Sequence, residues 1–437
     1  MKITKWKKYF VLLFVLALVA AACGDDEGDD TTAAPSGDDG TTAAPAGGGD
    51  APSGDAVKFG MLIGVTGDYS PWYDPSKAGA DIAIDEINAA GGVLGRPVEL
   101  VVVDNQSTVE GAVTGFSQIT DVDAIDALGG VESDGALANL DLLKELELPT
   151  MCPACGTSEL DDKGGDYIFR ITGSDTDGGI IAAQFARDAG FTRVSMLVQN
   201  TEGASAPADV FKEVFSELAG GEIVADVRFD PGGSSYQAQV EQAFEGEPDA
   251  VYLGAGFEAG GIILQEWQRR GYGGSWLFSP DLIVPEIASL EGVDLAGGVA
   301  RAAIPSYDTA SPAYTAYAPR YEDITGDAPS PGFYDANQYD QYIVLALAIA
   351  KAGTTDGAAV AAAIPEILNS PGVDVYTYAD GLAAIEAGDD INYHGASSSL
   401  DVNQFGNLAS PTFGEQQIVD GAWTQVGEVT LDPALRP

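Results

Sequence analysis

The chain has one histidine among 437 residues, three cysteines and only 20 basic residues. The lone histidine, His394, has no partner ligands at zinc spacing and no recognisable nucleophile motif. This argues against a metal site and against hydrolysis by a histidine base. A Walker-type phosphate loop is also absent, so the chain does not itself hydrolyse ATP. We therefore predict a protein that is not an enzyme and that uses no cofactor and no metal.

Acidic residues outnumber basic residues more than threefold. Residues 1–22 hold four lysines and no acid, so residues 23–437 carry 16 basic and 67 acidic side chains, a formal charge of −51. Such a surface repels nucleic acid and anionic lipid headgroups. The acids are spread along the chain, which favours adaptation to a saline habitat over a local functional patch. Steering of cationic ligands is the functional alternative.

The amino terminus has the pattern of a secretory signal. Four lysines precede an apolar run from Tyr9 to Val19, and Ala-Ala-Ala-Cys23 follows. The run is too short for a comfortable membrane helix, which needs about 20 apolar residues. Ala-Ala-Ala-Cys resembles a bacterial lipobox, which implies cleavage before Cys23 and lipidation of its sulfur. We expect residues 1–22 to be a signal peptide and the mature protein to be extracytoplasmic and lipid-anchored to the cell membrane; an ordinary signal with an incidental cysteine is the alternative.

Residues 23–54 have the composition of a disordered tether. They lack large apolar and aromatic side chains, and the sequence TTAAP occurs twice. Such a segment buries too little apolar surface to offset its ordering entropy. As a flexible coil it has a root-mean-square span of roughly 30 Å, which would hold a folded domain near the membrane.

From Ala56 onward, apolar strands alternate with amphipathic helices. VELVVV has the continuous apolar character of a parallel strand that is buried on both faces. The helix before it places Ala80, Ile84 and Ile87 on one stripe. The series begins again with the helix GGIIAAQFARDAG. The alternation predicts an α/β protein with two doubly wound Rossmann-like lobes, whose ligand lies at the carboxyl ends of the strands.

These segments, in this order, resemble the leucine/isoleucine/valine-binding family of ABC-importer solute-binding lipoproteins, which have the type I periplasmic-binding fold. The resemblance covers roughly residues 56–426. It is carried by VKFGMLIGVTG, by AGADIAIDEINAAGGVLGRPVELVVVD, by Pro153 with TSEL, and by YDQYIVLALAIAKAG and NYHGASSSLDVNQFGN near the carboxyl terminus.

The family fold implies two interleaved lobes that are joined by three hinge strands. The implied ranges are 55–173 plus 303–394 for lobe 1 and 174–302 plus 395–437 for lobe 2. The implied hinge strands lie near 170–174, 302–307 and 395–399.

The resemblance also implies a function. A small amino-acid-like solute, branched-chain or otherwise, or a related amide or carboxylate, would bind between the lobes and be delivered to an ABC permease with its ATPase subunits. The receptor would act as a monomer. A sensor receptor of the same fold is an alternative that the sequence leaves open.

Three segments match family positions that hold the α-amino-acid group. Ser133 falls on the carboxylate-binding serine, in a turn that also suits an ordinary helix cap. In the loop after the fourth strand, Ala154 keeps the small backbone position and Gly156 stands where the family often has threonine or serine. Thr157, one position along, is a candidate to replace that hydroxyl, and the alternative is that this hydrogen bond is missing. Asp281 falls on the acidic partner of the ammonium group, with a solvated loop acid as the alternative reading.

Glu132 is a second candidate acid, and one more acid than usual would suit a more cationic ligand.

The sequence departs from the family at two aromatic positions. Gly203 and Gly256, with Phe257 adjacent, stand where tyrosines are common, which implies a larger or wetter pocket. Trp72 and Tyr73 in the first loop are candidates to replace those rings, with simple packing as the alternative.

Cys152 and Cys155 form a Cys-Pro-Ala-Cys motif. Outside the cytoplasm such a pair is oxidised, and we expect a local disulfide that stiffens the ligand loop. A thiol–disulfide oxidoreductase is the alternative of a different class.

Overall fold

The computed structural model describes residues 51–436. The predicted signal peptide, Cys23 and nearly all of the predicted tether lie outside this range. Among the described residues no single helix is long and apolar enough to cross a membrane; two consecutive helices meet the length and composition test only as a pair bent by 110°.

The first half of the fold is a five-stranded parallel sheet with the order β2-β1-β3-β4-β5. Its strands are β1 Val57–Ile63, β2 Val98–Asp104, β3 Ala127–Gly129, β4 Thr150–Cys152 and β5 Ile168–Arg170. Its first helices are α1 Ser70–Ala89, α2 Val109–Ser117 and α3 Ser133–Glu145.

The chain then builds the parallel part of a second sheet. The helices are α4 Asp175–Asp188, α5 Glu202–Glu217, α6 Gln237–Phe244, α7 Phe257–Arg270 and α8 Pro285–Ala288. The strands are β6 Arg193–Gln199, β7 Glu222–Phe229, β8 Ala250–Gly254, β9 Ser275–Phe278 and β10 Ala300–Pro305.

The remaining chain first returns to the five-stranded sheet and then completes the second one. The returning elements are α9 Pro312–Thr325, α10 Asp335–Ala352, α11 Gly357–Leu368, β11 Val373–Val375, α12 Tyr378–Ala387 and β12 Ile391–Tyr393. The completing strands are β13 Phe413–Val419 and β14 Ala422–Val429, which give the order β14-β13-β10-β9-β8-β6-β7. We call each sheet with its packed helices the first lobe and the second lobe. The α/β class and the two doubly wound sheets agree with the sequence prediction.

The helix α10 is the centre of the first lobe. Every residue from Asp335 to Ile349 is buried, as expected for a helix that is enclosed on all sides. The Tyr342 hydroxyl donates to the carbonyl of Gly60 on β1, 3.1 Å away. The lobe core therefore joins segments that lie far apart in the sequence.

Asp340 on α10 fixes the chain that follows β12. Its carboxylate accepts hydrogen bonds from the Tyr393 hydroxyl (3.1 Å), from the Ala396 N–H (2.7 Å), and from the Ser397 N–H and hydroxyl (2.8 and 2.6 Å). Burial raises the pKa of Asp340 to about 6, against these hydrogen bonds. A buried carboxylate with this many donors holds residues 396–397 on the first lobe.

The chain crosses between the lobes three times, at 171–174, 306–311 and 409–412. The third crossing differs from the predicted hinge at 395–399. Residues 395–408, which the sequence prediction assigns to lobe 2, pack on the first lobe, where Leu400 and Val402 join its core. The N–H of Arg170 donates to the carbonyl of Gly406, 2.7 Å away. The contacts of Asp340 explain this placement.

Candidate functional site

The loops at the carboxyl ends of both sheets form one cleft. In each sheet the strand order reverses, between β1 and β3 and between β6 and β8, and crevices for ligands form at such switch points. The cleft has two parts that share Ser133, Ala154, Gly203, Asp281 and Tyr334. We call one of them the aromatic part; it is also lined by Tyr69, Trp72 and Glu132. We call the other the hinge part; it is also lined by Gly156, Asp175, Tyr252, Arg301 and Phe413.

The structure brings seven of the sequence-predicted residues to this cleft. They come from the loops after β3, β4, β6 and β9 and from the start of α1. They are Trp72, Glu132, Ser133, Ala154, Gly156, Gly203 and Asp281.

The other four predicted residues do not line the cleft. The Thr157 hydroxyl donates to Glu202, and Tyr73 packs against the core of the first lobe. Phe257 lines a separate surface groove. A Cβ atom at Gly256 would stand 2.6 Å from the carboxylate of Asp68. The absence of a side chain at Gly256 therefore leaves room for the loop between β1 and α1, which carries Asp68.

The start of α3 and the loop after β4 form one unit. Ser133 is the first residue of α3, and its hydroxyl accepts from the Thr157 N–H, 3.3 Å away. Glu132 and Ala154 pair as an isolated parallel bridge, which places the two loops side by side. Ser133 and Ala154 therefore line the cleft side by side.

The side chain of Asp175 leaves room only for glycine at position 156. A Cβ atom at this position would overlap the carboxylate of Asp175, the first residue of α4. The side chain of Asp175 thus occupies the space that a side chain at position 156 would need, and both residues line the cleft.

Tyr334 is a cleft residue that the sequence prediction did not identify. It precedes α10 with a φ of +54°, a left-handed conformation that is uncommon for a bulky side chain. Its sequence signal is the turn Pro-Ser-Pro-Gly-Phe just before it.

Trp72 and Tyr69 form the wall beside Tyr334. Their ring centroids lie 5.2 Å apart and the planes are tilted by 50°. The indole N–H of Trp72 donates to the carbonyl of Gly332, 2.6 Å away, and fixes the ring.

The carboxyl groups at the cleft have raised pKa values. Burial raises the pKa of Asp281 to about 7, with a smaller contribution from nearby Asp134 and Asp68. Burial also raises the pKa of Glu132 to about 7, although the N–H of Gly64 and the amide of Asn105 donate to it.

Asp175 has a raised pKa for the same reason. Burial is the main cause, and the guanidinium of Arg170 opposes it. That guanidinium donates hydrogen bonds to the carbonyls of Gly156 and Thr157 and to the carboxylate of Asp161.

Stability should depend on pH through these groups. Folding raises the pKa of Glu132 and Asp281 from their ordinary values of 4.5 and 3.8 to about 7. The folded state therefore binds more protons than the unfolded state below neutral pH. This contribution is fully present below the unfolded pKa values and is lost as the pH rises through about 7.

We expect the urea midpoint of the ligand-free protein to fall between about pH 5.5 and about pH 8, and to fall less in Asp281→Asn. Equal falls in wild type and variant would contradict this assignment.

Hydrogen bonds join the two lobes across the cleft. The carboxylate of Asp134 accepts from the N–H of Glu202, 3.0 Å away, at the start of α5. The amide of Gln199 donates to Asp68, 3.0 Å away, and Thr157 donates to Glu202. The structure is therefore a closed arrangement of the two lobes.

Cys152 at the end of β4 and Cys155 in the loop that follows form a disulfide, with Cα atoms 5.6 Å apart. Both cysteines are fully buried. Loop-closure entropy for so short a span gives a stabilisation of about 2 kcal/mol.

The double variant Cys152→Ala/Cys155→Ala should therefore lower the free energy of unfolding by about 2 kcal/mol in urea titration. Dithiothreitol should have no further effect on the variant. A wild type that is as stable with the reductant as without it would contradict this prediction.

Comparison with known proteins identifies a family and several relatives. Residues 56–379 match the model of the periplasmic binding protein family. Over 319 residues, 71% of this chain and 83% of the relative, the sequence is 27% identical to the Leu/Ile/Val-binding protein BraC3 of Rhizobium johnstonii.

A second relative has another role. The chain is 26% identical, over 80% of its length and 84% of the relative, to the chemotactic signal transduction system substrate-binding protein BasB of Halobacterium salinarum. Among solved structures, the leucine-binding protein LivK of Thermotoga maritima superposes with a TM-score of 0.74 at 23% identity, covering 86% of this chain and 99% of that chain.

Proposed function

The chain belongs to the periplasmic binding protein family, and we propose that it binds a small amino-acid-like solute between its lobes and delivers it to an ABC permease. The observation that carries this proposal is the closed cleft, where Ser133 and Ala154 of one lobe face Asp281 of the other. Backbone N–H groups and a hydroxyl suit a carboxylate, and Asp281 suits an ammonium group. A ligand that touches both lobes stabilises the closed form by its differential affinity for that form.

A thermal-shift screen over amino acids, amides and amines tests this function. A ligand at about 100 times its Kd should stabilise the folded protein by roughly 2.7 kcal/mol. Stabilisation only by sugars or other uncharged solutes would refute the amino-acid-like class.

Sensing is the second candidate, because one relative is the substrate-binding protein of a chemotactic system. The cleft chemistry is the same in both cases, so the partner decides. Uptake of labelled ligand that is lost on deletion of the protein supports transport. Normal uptake with loss of taxis supports sensing.

We infer that the protein is not a thiol–disulfide oxidoreductase, because both sulfurs of the disulfide are buried and out of reach of an external disulfide. Reductase or isomerase activity that is present in wild type and lost in Cys155→Ser would overturn this.

Periplasmic binding proteins of importers act outside the cytoplasm, and we further propose that Cys23 anchors this one to the membrane as a lipoprotein. Two or three acyl chains hold a protein stably, whereas one chain holds it marginally. Cys23→Ser should move the protein from the membrane fraction to the soluble fraction. Retention of the variant in membranes would show that another segment is the anchor.

A further inference from the structure

The charged groups that line the cleft are mostly acidic. Glu132, Asp175 and Asp281 line it, and Arg301 is the one basic residue among the described lining residues. The Nε atom of Arg301 lies 3.8 Å from the carboxylate of Glu415, which already pairs with it. The cleft thus offers its ligand more carboxyl groups than basic groups.

The helix amino termini at the cleft are already occupied by acids. Glu132 precedes α3 and Asp134 lies in its first turn. The start of α5 is capped from the other lobe by Asp134, and α4 begins at Asp175. The positive ends of these three helices therefore attract a ligand carboxylate less than uncapped termini would.

Asp281 is the carboxylate that remains available. Among residues 51–436 no side chain or backbone group donates a hydrogen bond to it, and no basic residue pairs with it. A Cβ atom at Gly203 would stand 3.6 Å from the Asp281 carboxylate and 3.3 Å from the Tyr69 hydroxyl. The absence of a side chain at Gly203 thus leaves the carboxylate open beside an aromatic ring.

Three rings surround the same space. Tyr69, Trp72 and Tyr334 line the aromatic part, in which Glu132 and Asp281 are the only charged side chains among the described residues. The faces of such rings attract an ammonium group, by about 0.5–2 kcal/mol for each good contact. The three aromatic side chains and the unpaired carboxylate are independent observations, and both favour a cation.

We infer that the ligand carries net positive charge, as an organic amine or a basic amino acid, with an ammonium group held by Asp281 among Tyr69, Trp72 and Tyr334. This inference rests on the proposed function and names its ligand class. An aliphatic zwitterion such as leucine presents one ammonium and one carboxylate, and it leaves the excess acid of the cleft unmatched.

Matched ligand pairs test the inference by isothermal titration calorimetry on the full-length protein. L-lysine is paired with L-norleucine, which lacks the second ammonium group. Choline is paired with 3,3-dimethyl-1-butanol, which replaces nitrogen by carbon. We expect the cationic member of at least one pair to bind at least tenfold more tightly than its partner.

Variants of Tyr334 provide the second measurement. Tyr334→Phe keeps the ring and should keep the preference for the cation, whereas Tyr334→Leu should reduce it several-fold. A loss of affinity for both members of a pair by the same factor would indicate a packing role only and would count against the inference.

A failure of this inference can be distinguished from a failure of the proposed function. If L-norleucine or L-leucine binds as tightly as the cations, the inference is overturned and the proposed receptor function stands. If no amino acid or amine binds while another class of solute does, both are overturned.

Discussion

Replacing Asp281 by asparagine should weaken ligand binding about 100-fold, which corresponds to about 2.7 kcal/mol. The carboxylate lies where both parts of the cleft meet, and burial already raises its pKa to about 7. A ligand cation would stabilise the buried carboxylate of Asp281 by pairing with it. The uncharged amide of the asparagine variant has the same shape but cannot form this ion pair. The measurement is calorimetric titration with the compound that stabilises the wild type most.

Two controls separate binding from folding in this experiment. Glu286→Gln removes an exposed acid five residues further along and should leave the affinity unchanged. The ligand-free Asp281→Asn protein should be at least as stable as wild type at about pH 8, since a buried charge is removed. An affinity within threefold of wild type would show that Asp281 does not hold the ligand.

Replacing Asp340 by alanine should lower the free energy of unfolding by about 3–5 kcal/mol. The side chain is fully buried and accepts four hydrogen bonds, so its removal leaves the donors at Tyr393, Ala396 and Ser397 without a partner. The measurement is urea denaturation followed by tryptophan fluorescence.

Asp323→Ala, at an exposed position of α9, is the matched control and should change stability by less than about 0.5 kcal/mol. Asp340→Asn keeps the size and one acceptor and should fall between the two. A loss below about 1 kcal/mol in Asp340→Ala would mean that water satisfies the donors.

The sequence predicted the regular elements well where one lobe alone determines them. The strand VELVVV and the helix that carries Ala80, Ile84 and Ile87 are present as β2 and α1, because packing within one lobe leaves a direct pattern of apolar residues in the sequence. The helix α5 begins at Glu202, and its start is capped by Asp134 from the other lobe, a contact that no local sequence pattern contains.

The candidate site residues also divide into those that the sequence could place and those that it could not. Residues that directly follow a strand, such as Ser133 and Asp281, could be placed at the cleft because carboxyl ends of parallel strands meet at one edge. Tyr334 could not, because it precedes a helix and reaches the cleft through an unusual backbone conformation. Asp175 and Gly156 depend on each other across a lobe boundary, and neither residue type alone signals that relation.

The return of the chain to the first lobe has a consequence for the order of folding. The hydroxyl of Tyr342 bonds to Gly60, 282 residues earlier, and Arg320 pairs with Glu86 across 234 residues. The five-stranded sheet therefore cannot cover its apolar face until the first five strands of the second lobe, β6 to β10, have been synthesised. Such long-range closure slows folding and exposes apolar surface in the meantime. A chain truncated after β10 should thus contain a second lobe lacking only its last two strands and a first sheet without its central helix.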